Sequence, residues 1–184
     1  MKLSYLIKGF PGHPTHPPLT DATLGLYTGA TAFAVLSAVG VSERNMATAW
    51  WLALIAGLVV TGPTAVTGLA DWLELTRGTP LWRTTTAHML SMITATVFFL
   101  VAAIAGHGGY VDREVTTGAF VLTLVGFGLL TLGGWLGGTV VYVHGMRVLR
   151  LREEPTQRAV APVPTPEKQA AEGSEPRDPR ERLT

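Results

Sequence analysis

The chain has 184 residues, of which 47% are hydrophobic and only 15% charged, with a formal net charge of +1. A soluble domain carries about 25% charged residues, and more than half of the charge here falls after Met146, so an ordinary soluble globule is excluded. The small net charge leaves no footprint for nucleic acid. The absence of cysteine removes disulfides, iron–sulfur ligation, thiolate zinc and c-type haem.

Residues 1–18 read as an N-terminal strap. Lysine returns at Lys8 and Pro11 follows, so this start lacks the apolar core of a cleavable signal and the first span is expected to be retained. Four apolar segments reach the length of about 20 residues that a bilayer requires: Leu19–Val41, Ala49–Asp71, Thr86–Gly106 and Gly118–Tyr142. Their uninterrupted apolar runs exclude the alternation of a barrel, leaving helices. Lys2, Lys8, Arg77, Arg83, Arg147, Arg150, Arg152 and Arg158 collect on one side and only Arg44 and Arg113 on the other. The positive-inside rule then predicts both termini in the cytoplasm. Arg147–Glu154 reads as a charged continuation of the fourth helix. Beyond it, Pro, Glu, Arg, Ala and Gln predict a disordered tail, so that 149–184 stands apart from a bundle at 19–148. The expected fold is an all-α integral membrane four-helix bundle with a disordered C-terminal tail.

Ionisable groups at the edges of membrane spans are costly and mark functional sites. His13, His16, Asp21, Asp71, His88 and His144 all fall at the predicted cytoplasmic ends, and His107 alone at the outer end. Helical phase places Asp21, Gly25, Thr28 and Ala32 on one stripe, and Thr61, Thr64, Gly68 and Asp71 on another. His88, Ser91 and Ala95 form a third stripe. The fourth runs from Gly126 through Gly133, Gly134 and Gly137 to Val141 and His144. Small residues let membrane helices approach closely, so these stripes are expected to face inward and their Asp and His ends to converge. In Gly12-His13-Pro14-Thr15-His16-Pro17-Pro18 the prolines predict an extended strap with the two imidazoles about 9 Å apart.

These residues also carry a resemblance. The opening His13-Pro14-Thr15-His16-Pro17, the ending Gly68-Leu69-Ala70-Asp71 of the second span, Ala87-His88, and the stretch from Gly134 to Tyr142-Val143-His144-Gly145 resemble the signatures of a bacterial membrane family, domain of unknown function 2231. The resemblance covers roughly residues 10 to 148 and implies a multi-pass protein of a bacterial cytoplasmic membrane. Its members include proteins joined to Rieske-type or cytochrome-like modules, which implies membrane redox chemistry without assigning an activity.

Three chemistries fit a His/Asp cluster. A b-type haem takes axial imidazoles. His88 and His144 are the natural pair, with His16 or His13 as further ligands and Asp71 or Asp21 accepting from the outer ring nitrogens. Gly133, Gly134, Gly137 and Gly138 would admit the flat porphyrin. A divalent metal could instead take His16, His88, His144 and Asp71. Proton transfer is disfavoured, because the outer half lacks relay groups and no internal repeat is visible. Hydrolase, transferase and phosphate-binding motifs are absent from the sequence, so no catalytic residue is assigned. The expected role is a haem- or metal-holding electron-transfer subunit in the lipid bilayer, facing a membrane redox partner and compatible with a homo-oligomer. The competing role is a scaffold without a cofactor, its spans fixed by a polar lock.

Overall fold

Proline, threonine and glycine decide where the helices begin and end. The computed structural model describes residues 3–10 and 12–148, with isolated positions at Thr156 and Val160. The expected tail and most of the charged continuation of the fourth helix lie outside the described residues. The elements are α1 (Leu3–Lys8), α2 (His16–Ala38), α3 (Glu43–Trp72), α4 (Pro80–Ala105), α5 (His107–Asp112) and α6 (Thr117–Gly138), the last running into a π-helical turn at Thr139–Val143. Among the described residues there is no strand, only an antiparallel bridge between Phe10 and His13.

The extended strap expected at residues 12–18 is corrected. α2 begins at His16, with Pro17 and Pro18 in its first turn. Proline is tolerated there because a helix leaves its first N–H groups unpaired and the ring presets φ. Pro80 opens α4 in the same way, and Thr79 caps that helix by accepting from the Trp82 amide at 3.2 Å. After the π turn, Gly145 (φ 67°) and Arg147 (φ 57°) adopt left-handed backbone, which an α-helix cannot accommodate, so among the described residues helix α6 and its π turn end before Arg147.

α2 packs along α3 and α4 along α6, while fewer contacts join α3 to α4 and α2 to α6. Each close pairing rests on a ring set against a glycine. Tyr27 of α2 covers Gly57 of α3, and Phe99 of α4 covers Gly126 of α6. The two rings then stack on each other, with centroids 4.1 Å apart and planes 11° from parallel. Around this stack lie Trp50, Leu54, Leu130 and a set of buried alanines. Trp50 donates from Nε1 to the Thr123 hydroxyl at 3.1 Å, so the buried indole nitrogen is paired.

The inward stripes expected on α3 and α4 are found: Thr64, Asp71, Ser91 and Ala95 are buried. The stripe expected on α2 is corrected. Asp21, Gly25, Thr28 and Ala32 are exposed, and the buried face is Thr23, Tyr27, Ala30, Thr31, Ala34 and Ser37. The physical reason is that α3 supplies the small residue, Gly57, and α2 answers with a large one.

Leu52, Val59, Val66, Ile93, Val97, Ile104, Leu132 and Trp135 point outward, a density of exposed apolar side chains that suits lipid. Three helical stretches are long and apolar enough to cross a bilayer: Glu43–Trp72, Pro80–Ala105 and Thr117–Val143. α2 has 23 residues but carries Pro, Thr and Asp in its first turns, and it is not among these three.

The ring-on-glycine packing has a direct test. A Cβ at Gly57 would stand 2.6 Å from the Tyr27 ring, whereas one at Gly128 meets nothing within 4 Å. Gly57→Ala is expected to cost about 1–3 kcal/mol through overpacking. Gly128→Ala should be neutral or stabilise by up to about 1 kcal/mol. Thermal unfolding in detergent compares the two, and equal melting temperatures would contradict the packing.

Candidate functional site

The start of α2, the end of α3, the start of α4 and the end of α6 meet at one end of the molecule, and most of the candidate residues gather there. His16 sits over Gly68. Its Nδ1 lies 3.1 Å from the Thr64 carbonyl oxygen and 3.1 Å from Thr67 Oγ1. A carbonyl can only accept, so Nδ1 carries the proton and the Nε2 lone pair remains. The group nearest Nε2 is Thr20 Oγ1 at 3.3 Å, and that hydroxyl stands closer, at 3.0 Å, to the carbonyl of His16.

His88 repeats the arrangement on the other helix pair. Its ring lies against Gly137, and Nδ1 donates to the Gly133 carbonyl at 2.7 Å. Among the described residues no hydrogen bond reaches its Nε2.

Asp71 is buried in the last turn of α3. Arg147 reaches it at 2.5 Å and also lies 3.4 Å from Glu74, which pairs in turn with Lys8 of α1. The result is an ionic chain from the N-terminal helix, across the end of α3, to the turn after α6. The hydrogen bond from Lys8 holds the Glu74 carboxyl below its ordinary pKa, with the positive charges of Lys8 and Arg147 adding to the effect. The two halves of the cluster are joined at the end of α3: Asp71 follows Gly68, on which His16 rests, and the next residue, Trp72, donates from Nε1 to Thr86 at 2.9 Å, two residues before His88. Among the described residues, no buried side-chain nitrogen or oxygen lacks a partner.

His16, Asp71 and His88 therefore lie at the same end of the bundle, with Asp71 and His88 on the inward faces that the phase argument expects. His144 lies at the same end, but its Nε2 is 3.0 Å from Thr84 Oγ1. The same hydroxyl lies 3.1 Å from the Pro80 carbonyl oxygen, so His144 Nε2 is already engaged by α4. His13 and Asp21 do not join. His13 is exposed and tied through its backbone to Phe10, while Asp21 lies on the outer face of α2. His107 stays at the opposite end, edge-on to Trp51 with centroids 5.5 Å apart.

Two expected sites are not assembled as drawn from the sequence. Among the described residues, no three His, Cys, Asp or Glu side chains are placed to hold a metal ion. Asp71 is occupied by Arg147 and His144 by Thr84, so the four-ligand set His16, His88, His144 and Asp71 does not close. The inward half of the glycine slot for a porphyrin on α6, Gly133 and Gly137, is filled by the chain itself. Met92 packs on Gly133 and His88 on Gly137, while Gly134 meets nothing within 4 Å. A haem pressed flat against the Gly133–Gly137 face of α6 does not fit there.

Arg147 is the participant that sequence reasoning misses, since it reads only as one charge among several on the cytoplasmic side. The available signal is Gly145, which breaks the helix and lets the next residues fold back. Arg147→Met removes the partner of a buried carboxylate, and an unpaired buried group costs about 1–3 kcal/mol. The expected outcome is a matching loss of thermal stability, with Arg113→Met, in the exposed turn at the other end, unchanged within about 0.5 kcal/mol. Equal effects would show that the Asp71 contact carries no energy.

A search of curated proteins and of solved structures found no match. Residues 12–150 match a family model described as a predicted membrane protein (DUF2231). A model spanning that much of the chain, together with the apolar helices and the outward-facing aliphatic surface, settles membership: the protein belongs to this family of predicted membrane proteins.

Proposed function

We propose that the protein is a multi-pass protein of the bacterial cytoplasmic membrane, that α2 crosses together with α3, α4 and α6, and that both termini are cytoplasmic. The working part is the cluster at the inner end. Its ionic half, Lys8–Glu74–Arg147–Asp71, ties together three separate stretches of chain. Its imidazole half holds a b-type haem or a metal ion and serves electron transfer to a membrane redox partner. The observation that carries this reading is that two imidazoles, one from each helix pair, stand at the same end of the bundle in matching surroundings. Each is oriented by a backbone carbonyl through Nδ1 and keeps its Nε2 lone pair. A ligating histidine commonly has its outer nitrogen held in this way. When bound, such a group would supply one-electron chemistry. The chain's own residues orient the rings, exclude lipid from the cluster and keep a single carboxylate beside it.

A second reading is favoured by the Asp71–Arg147 ion pair. The whole cluster is then a polar lock that fixes helix register in a scaffold protein without a cofactor. Buried or half-buried ion pairs of this kind are best attested in fixing register.

Two measurements test these statements. Because the chain contains no cysteine, single cysteines report sidedness cleanly. His13→Cys and Thr76→Cys are expected to react with an impermeant maleimide only from the cytoplasmic face, and Ser42→Cys and Asp112→Cys only from the outer face. His13 and Ser42 on the same face would remove α2 from the crossing helices. For the cofactor, protein purified from membranes in mild detergent is expected to show either a Soret band that shifts on reduction or a bound metal by elemental analysis. A colourless, metal-free preparation with normal thermal stability would leave the lock.

A further inference from the structure

The two helix pairs place corresponding residues in corresponding surroundings. His16 rests on Gly68, with Nδ1 on the carbonyl four residues before that glycine, Thr64. His88 rests on Gly137, with Nδ1 on the carbonyl four residues before it, Gly133. Eleven residues after each histidine comes an aromatic ring, Tyr27 or Phe99. Eleven residues before each glycine comes a second glycine, Gly57 or Gly126, and each ring covers the second glycine of its own pair. The same offsets match buried positions along the helices, among them Ala30 with Ala102 and Leu54 with Thr123.

The packing has the same symmetry. α2 pairs with α3 as α4 pairs with α6, and the cross contacts α3–α4 and α2–α6 exchange under the same operation. A rotation that exchanges the pairs must carry Tyr27 onto Phe99. Its axis therefore passes beside their near-parallel stack and runs along the helices, because α2 and α4 start at the same end. Parallel repeats about an axis along the membrane normal are a known way to build membrane proteins. The sequence hides this repeat because the pairs share a contact pattern and few residue identities.

The rotation also carries His16 onto His88. We propose that the chain is an internally duplicated helix pair and that His16 and His88 form one two-fold site, offering two equivalent Nε2 atoms to a single transition-metal centre. This rests on the reading of the imidazoles as ligand-holding and names the pair in place of His88 and His144. Imidazole suits copper, iron, nickel and zinc, and haem iron accepts the same donor. The shared chemistry is thus a metal centre taking two neutral nitrogens, supplied as a bare ion or as haem iron. The helix that follows each histidine fixes its backbone, and the paired glycine leaves room for the ring to lie flat. Asp71 breaks the symmetry, because its counterpart is Val140. One face of the pair therefore carries a carboxylate and the other does not.

The full-length protein in detergent is titrated separately with Cu²⁺, followed by electron paramagnetic resonance, and with ferric haem, followed by its Soret band. One of the two is expected to bind at one centre per chain. His16→Ala and His88→Ala should each weaken binding by at least about tenfold and to a similar extent, while His13→Ala and His144→Ala leave it within about twofold. His16→Asn and His88→Asn, which keep a donor toward the Thr64 and Gly133 carbonyls, guard against misfolding and should lose binding while melting like the parent protein. Binding that survives both substitutions, or that depends on His144, overturns the pairing and leaves the ligand-holding reading intact. A parent protein that takes up neither probe overturns both.

Discussion

Everything at the end of the bundle that holds His16, Asp71 and His88 depends on how closely the helices of each pair approach, and that approach is set by rings lying on glycines. A helix that offers a bare Cα lets the facing helix insert a planar side chain without spreading the backbones. Tyr27 and Phe99 do this at mid-depth, and His16 and His88 do it at the end. The lower contacts are polar versions of the upper ones. Where Tyr27 and Phe99 meet each other, the imidazoles meet a backbone carbonyl that the absent side chain leaves accessible. In lipid, where apolar surface gives little drive to associate, close van der Waals contact and satisfied polar groups supply most of the cohesion.

The ionic chain does a different task. The pairs are joined to each other by fewer contacts than hold each together. Arg147 bridges them by leaving α6 and turning back toward Asp71, with Glu74 and Lys8 extending the connection to α1. The cost of its left-handed backbone, of order 1–3 kcal/mol, is set against pairing a carboxylate that is almost fully buried. Two kinds of order thus share one end of the molecule: a symmetric one made of rings and carbonyls, and an asymmetric one made of charges.

Much of this was legible in the residues. Lengths of apolar runs gave the long helices, and helical phase placed Asp71 and His88 inward on α3 and α4. The error on α2 has a clear cause. The rule that small residues face inward describes only one partner of a close contact, and α2 is the helix that brings the large one. Tyr27, an aromatic amid Gly, Ala and Thr, was the position to weigh. The start of α2 at His16 was obscured by prolines, which in the first turn of a helix are compatible with either an extended or a helical chain. The pairing of His16 with His88 could not be read from either segment alone. It depends on an axis that exists only once both pairs are assembled, and on the offsets of Gly68 and Gly137 from their partners.

The π-helical turn at Thr139–Val143 has a consequence for everything downstream. A turn of this kind holds one more residue than an α-turn, and here the amide of His144 reaches back to the Thr139 carbonyl at 3.0 Å. It therefore works as a vernier on the chain, resetting by a fraction of a revolution the direction in which the following residues leave α6. Loss of a single residue from this stretch would let an ordinary helix continue. His144 would then swing away from Thr84 and the guanidinium would miss its carboxylate, although every one of those side chains was still encoded. Length, more than composition, is what this short segment has to keep.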